Sequence, residues 1–158
     1  MLEGHDVGDR WTELAEAWDQ HADGKLYPFN DLHAVMAYLG AEQAGKAEQI
    51  AAAYRDNRAA APETIVWAQQ TGLPLDDGFQ AFWRGDYEAA VASLHPARFI
   101  ANTFGGSHAQ RDIIDWTLTE AALRGGITGV AEAMAQERLA LKPLSPVNQS
   151  FLRRATEG

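Results

Sequence analysis

The apolar residues of this chain recur with the period of an α-helix from one end to the other, and that period is what most constrains its fold. Trp11, Leu14, Ala15 and Trp18 fall at i, i+3, i+4 and i+7, and Leu32, Val35, Met36 and Leu39 repeat the spacing. Such a stripe turns one face of a helix to a core and the other to water. It continues through Ile50, Ala51 and Tyr54, through Phe79, Phe82 and Trp83, and through Tyr87, Ala90, Val91 and Leu94. Ile113, Ile114, Thr117, Leu118 and Ala121 form another stripe, Val130, Met134, Arg138 and Leu141 a weaker one, and Val147, Phe151 and Ala155 the last. Only Thr64 to Trp67 reads like a strand. Pro62 ahead of it and Ala68-Gln69-Gln70 behind it turn that run towards helix as well.

Start and stop signals agree with the period. Ser107 and Gln110 are spaced as a capping box, and Ser145-Pro146 sets a cap before proline at the first helical position. Asn30 or Asp31 can cap the helix that holds Leu32. Gly24, Gly40, Gly72, Gly85 and Gly125-Gly126 stand where helices should end. Pro96 removes a backbone donor inside a helical stretch and predicts a kink there, or a break into two helices. The punctuation gives roughly eight or nine helices joined by short turns, the loop length of antiparallel neighbours. With no linker or low-complexity stretch, residues 1–158 are expected to form one all-α domain.

One segment narrows this further. Gly85-Asp86-Tyr87-Glu88-Ala89-Ala90 looks like the turn of a tetratricopeptide repeat, whose familiar form is Gly-Asp-Tyr-x-x-Ala. Gly78 supplies the small residue expected before the turn, and Leu94 and Ala97 the apolar and small residues expected after it. Small side chains let paired helices approach, and large ones fill the holes between them. The equivalent alanines elsewhere are Ala47 and Ala131, at spacings of 43 and 41 residues, longer than the usual ~34. Ala51 and Tyr54 take the later positions of the first unit, and Pro143 follows the third. The expected architecture is a right-handed superhelical stack of antiparallel, tetratricopeptide-like hairpins, with two of the three units degenerate.

Beyond the generic repeat, the chain resembles the tetratricopeptide repeat protein 38 family. Four stretches carry the likeness: Gly8-Asp9-Arg10-Trp11 through Trp18 and His21; Phe29 to Ala37; Gly85-Asp86-Tyr87; and, most specific, Gly105-Gly106-Ser107-His108-Ala109-Gln110-Arg111-Asp112. Together they reach across most of the chain. Family members are longer, and the likeness is to their C-terminal portion. It implies a helical-repeat architecture and no defined reaction.

Composition removes several function classes. The net charge of −9 repels phosphate backbones and anionic membrane surfaces, so neither nucleic acid nor membrane is an expected partner. The chain has no cysteine, hence no disulfide, thiol nucleophile or cysteine-based zinc site. No apolar run approaches the ~20 residues that span a bilayer. The stretch Met1-Leu2-Glu3-Gly4-His5-Asp6 lacks a signal-peptide pattern, and a soluble, cytoplasmic protein is expected. Neither a Gly-x-Ser-x-Gly elbow nor a phosphate-binding loop is present, and no cofactor is implied.

Two polar clusters remain as candidate ligand-binding residues. In the first, Gly105-Gly106 leads into a capped helix start whose N–H groups can hold an anion. Ser107, His108, Arg111 and Asp112 stand there, with His108 and Asp112 at i, i+4, so that the carboxylate can orient the imidazole for general-base work. The plainer alternative is a capping box after a turn, with Arg111 bridging to a neighbouring helix. The second cluster is Asp31 and His33. Facing His108 they would resemble a histidine–carboxylate metal site, but two residues apart on a helix they point in different directions. Capping for Asp31 and an inter-helix hydrogen bond for His33 are the simpler roles, and no metal is expected. Of the five tryptophans, Trp11, Trp18 and Trp83 sit on core stripes, while Trp67 and Trp116 are less clearly buried; lining a peptide groove is the other role open to them. Arg153-Arg154 reads as a solvated helix end.

The leading expectation is a non-catalytic scaffold that binds a protein or peptide partner on its concave face. Homodimerisation through an apolar end of the stack is also expected. The alternative is an enzyme or small-ligand (anion) binder centred on His108, Arg111 and Asp112, to which Asp31 and His33 could add, and it requires those side chains to converge in one pocket.

Overall fold

A computed structural model describes residues 2, 5, 7–25, 27–56 and 62–157, with the backbone alone described for Pro62 and Phe104. Met1, Glu3, Gly4 and Asp6 of the N-terminal reading lie outside these residues. The helices are α1 (Arg10–Trp18), α2 (Pro28–Gly40), α3 (Ala44–Arg55), α4 (Pro62–Trp67), α5 (Leu73–Arg84), α6 (Tyr87–Arg98), α7 (His108–Arg124), α8 (Thr128–Leu141) and α9 (Pro146–Glu157). A π turn, Ala68–Gly72, makes α4 and α5 continuous, and a 3₁₀ turn, Ala101–Phe104, precedes α7. No strand occurs among the described residues, and none of their helices is long and apolar enough to cross a membrane. Each of α1, α2, α5, α6, α7 and α8 packs on the next helix in sequence, and α3 packs on α5. One connected core runs from Ala15 in α1 to Ala155 in α9.

Three turns share one geometry. The Gln43 N–H donates to the Tyr38 carbonyl (2.8 Å), Asp86 N–H to Ala81 (2.9 Å) and Ile127 N–H to Ala122 (2.9 Å). These are the long bonds of a Schellman motif, which needs a left-handed residue just past the helix. Glu42 (φ 60°), Gly85 (φ 78°) and Gly126 (φ 65°) fill that place. Ala47, Ala90 and Ala131 each stand five residues later, each as the fourth residue of its helix, and all three are buried. The three alanines, 43 and 41 residues apart, thus each follow a turn of this geometry. Glu42 is the non-glycine exception, and a left-handed non-glycine residue costs roughly 1–2 kcal/mol. Its side chain is exposed, so Glu42→Gly is expected to raise the urea midpoint by the equivalent of about 0.5–1 kcal/mol, after the entropy glycine adds to the unfolded chain.

The residues seven places after these alanines, Tyr54, Ala97 and Arg138, differ in size, and the fold compensates. A Cβ on Gly78 would stand 2.5 Å from Leu94 Cδ2, so only glycine admits that leucine. Tyr54 occupies the place that Ala97 holds in the second unit, and Gly72 makes room for it: a Cβ there would stand 2.6 Å from Tyr54 Cζ. Gly72 therefore does not end a helix, as expected, but lies inside one. The wider π turn just before Pro74 accommodates the donor and space that proline removes. Arg138 holds the same place in the third unit, its guanidinium over the rings of Trp116 and Phe151.

Other expectations are corrected. Pro96 does not divide α6; the helix runs two residues past it and ends at Arg98. Neither Asn30 nor Asp31 caps α2, which starts at Pro28, with Tyr27 before it making no side-chain cap bond. Trp83 is 40 % exposed and not a core residue. Arg154 is not simply solvated: its two Nη atoms donate to Glu120 on α7 at 2.8 and 2.9 Å.

Candidate functional site

Ser107 is the N-cap of α7, and the capping box is complete. Its Oγ accepts from Gln110 N (3.2 Å), and Gln110 Oε1 accepts from Ser107 N (2.9 Å). The turn before it is held from both sides. Gly105 (φ 100°) and Gly106 (φ 76°) are both left-handed. A Cβ on Gly105 would overlap the Tyr27 hydroxyl, and one on Gly106 the Phe29 ring. Arg111 Nη1 donates to the carbonyls of Gly105 (3.0 Å) and Gly106. Arg111 thus closes its own turn instead of bridging to another helix.

The proposed His108–Asp112 pair does not form. Both Asp112 oxygens accept from Arg138 of α8, at 2.9 and 3.1 Å. A guanidinium is always charged and matches a carboxylate with two parallel bonds, so it outcompetes an imidazole. His108 Nδ1 instead lies 3.4 Å from Arg111 Nη2. Arginine only donates, so the ring accepts through Nδ1.

Asp31 and His33 are near the turn in the fold but not in chemistry. Phe29 lies against Gly106, and its ring is 4.4 Å from that of His33, which in turn is 5.9 Å from Trp18. His33 Nδ1 donates to the Phe29 carbonyl within its own helix (2.7 Å). Asp31 is buried and turned to the interior, where it accepts from Asp23 N (3.0 Å), Gly24 N (3.2 Å) and Tyr54 Oη (2.8 Å). Burial raises the Asp31 carboxyl above its ordinary value, opposed by those same hydrogen bonds. Its role is to tie the α1–α2 loop to α3, and it does not converge with His108. Among the described residues no three histidine or acidic side chains gather closely enough to hold a metal ion.

What the turn does border is an open groove of about 680 Å³ between the end of α6, the 3₁₀ turn, the start of α7 and the end of α8. His108, Arg111 and Asp112 line it, together with Arg98, Phe99, Asp115, Leu141 and Lys142. Phe99 is 65 % and Leu141 75 % exposed, and the two line the same groove, which makes them a shared apolar surface and not isolated exposed residues. The floor is rigid. Arg98 donates from Nε to Asp115 (2.6 Å) and from Nη2 to Glu137 (2.6 Å), joining α6, α7 and α8. Those two carboxylates hold Arg98 still further above its ordinary pKa, against the opposing effect of burial.

Phe99, Leu141, Arg98 and Lys142 were not among the sequence candidates. No sequence signal marked them: α6 runs through Pro96 and ends at Arg98, which leaves Phe99 just beyond it. No protein-family model matches this chain, and no solved structure matches it.

Proposed function

We propose that this protein is a non-catalytic helical-repeat scaffold whose groove between α6, α7 and α8 docks a short segment of a protein or peptide partner. One observation carries the reading: Phe99 and Leu141 stand exposed on a groove whose walls are locked by ion pairs. Its volume lies in the ~300–1,000 Å³ range that holds a drug-sized group, so it fits a few side chains and not a folded domain. Aromatic and aliphatic anchors on a preorganised surface supply most of the affinity at such sites. The recurring left-handed turn, with a buried alanine five residues on, supports reading the chain as a divergent tetratricopeptide-like stack. The likeness to the tetratricopeptide repeat protein 38 family fits that reading, since four residues of its most specific stretch, His108, Ala109, Arg111 and Asp112, line the groove. A chain without cysteine suits a reducing cytoplasm.

The test is a peptide selected from a random displayed library on the wild-type protein, with its affinity measured by fluorescence anisotropy. The double variant Phe99→Ser/Leu141→Ser should weaken it at least tenfold. Both side chains are exposed, so stability should change by no more than about 0.5 kcal/mol per site. Selected peptides that bind the double variant as well as the wild type would overturn the assignment.

A further inference from the structure

Resting on that docking reading, we propose that the segment the groove takes is acidic as well as apolar, its carboxylates held by Arg111 and Lys142 and its apolar side chains by Phe99 and Leu141. The argument is one of uncompensated charge. The chain carries a net charge of −9, yet the groove does not share that sign. Its two carboxylates are already paired, Asp112 with Arg138 and Asp115 with Arg98. Arg98 is shared with Glu137 as well, so Arg98, Asp115 and Glu137 together keep one negative charge.

Two cations remain. Arg111 makes its bonds to the neutral carbonyls of Gly105 and Gly106 and to the His108 ring. Lys142 pairs with no carboxylate among the described residues. Arg111 has five N–H donors in all, so its carbonyl and imidazole partners do not exhaust them. Both cations line the groove, Arg111 in the first turns of α7, whose dipole is positive there, and Lys142 at the C-terminus of α8, where a cation is favoured by the opposite end of the dipole. The apolar contacts beside them require a partner that is not purely ionic. A partner with both features is complementary here, while the rest of the surface repels acidic chains. A carboxylate-bearing segment is thus favoured at this groove above others on the molecule.

The experiment uses the full chain and two short fluorescein-labelled peptides of glutamate, leucine and phenylalanine, one with glutamine in place of every glutamate. The acidic peptide should bind about tenfold tighter than its glutamine twin at low salt. The gap should narrow at high salt, where exposed charges are screened. Lys142→Glu should weaken the acidic peptide about five- to tenfold and leave the glutamine twin unaffected. Arg111→Gln should act in the same direction, with circular dichroism showing that its turn is still folded. Equal binding of the two peptides, both weakened by Phe99→Ser/Leu141→Ser, would overturn the charge assignment and leave the docking groove standing. Binding of both peptides that is indifferent to Phe99→Ser/Leu141→Ser would instead overturn the docking reading and the inference with it.

Discussion

Gly106→Val is expected to cost about 2–5 kcal/mol of stability and to lower the thermal midpoint by on the order of 10 °C. Two separate penalties combine. Gly106 sits at φ 76°, and a β-branched residue there is a steric outlier costing roughly 1–2 kcal/mol or more. A side chain at this position also meets the Phe29 ring, already against the glycine, and forcing atoms into a packed contact costs about 1–3 kcal/mol. The molecule contains its own control. Gly126 is left-handed too, at φ 65°, but nothing lies within 4 Å of where its Cβ would stand. Gly126→Val should therefore show the dihedral penalty alone. Thermal melts of the two variants separate the terms, and Phe29→Ala in the Gly106→Val background should recover part of the difference. Equal losses from the two valines would mean that the contact with α2 contributes nothing. The groove should respond as well, because Arg111 is held by the Gly105 and Gly106 carbonyls.

What could be read from the sequence was what physical chemistry decides within a turn or two of the chain. The helical period, the box joining Ser107 to Gln110 and the left-handed Gly85 are local choices, and the fold keeps them. Partner choice across the fold was not legible. Asp112 had a histidine four residues away and took Arg138, 26 residues on, because charge and shape both favoured the guanidinium. Asp31 looked like a cap, and its side chain instead bonds a tyrosine 23 residues later. Gly72 looked like a stop, and its function is to admit that same tyrosine. The groove was hidden for a related reason. Phe99 and Leu141 lie at the ends of two different helices, and an apolar residue is assigned to the core by default. Only the packing of α6 against α7 and α7 against α8 leaves both in the open.

The interior should make stability depend on pH in an unusual sense, and Asp76→Asn should remove the share of that dependence that Asp76 contributes. Asp76 is 1 % exposed; its Oδ1 accepts from Gln80 Nε2 (2.9 Å) and its Oδ2 has no hydrogen-bond partner. Burial pushes its carboxyl from 3.8 up to about 7, aided by the charges of Asp77 and Glu48 and opposed by Gln80 and Arg55. The folded state therefore keeps a proton that the unfolded chain has already released. Its contribution is fully present below the unfolded value, near 4, and is lost as pH rises through about 7. At about 1.4 kcal/mol per pH unit, the whole interval is worth up to about 4 kcal/mol, and the part between pH 5 and 8 about 3 kcal/mol. Asparagine keeps the acceptor for Gln80 but buries an extra amide, costing about 1–3 kcal/mol where it finds no partner. The variant should thus be the less stable protein at pH 5 and should gain about 3 kcal/mol on the wild type by pH 8. Asp31, also raised by burial, slopes the same way in both proteins, so the difference between their urea midpoints isolates Asp76. Glu120 acts in the opposite sense. Burial raises it, but Arg154 and Arg124 hold it below its ordinary 4.5, so the stability it adds is lost only in acid, outside this window. Parallel curves for wild type and variant from pH 5 to 8 would mean that Asp76 is ionised throughout. The buried Oδ2 would then need a partner that the α2–α3–α5 interior does not supply.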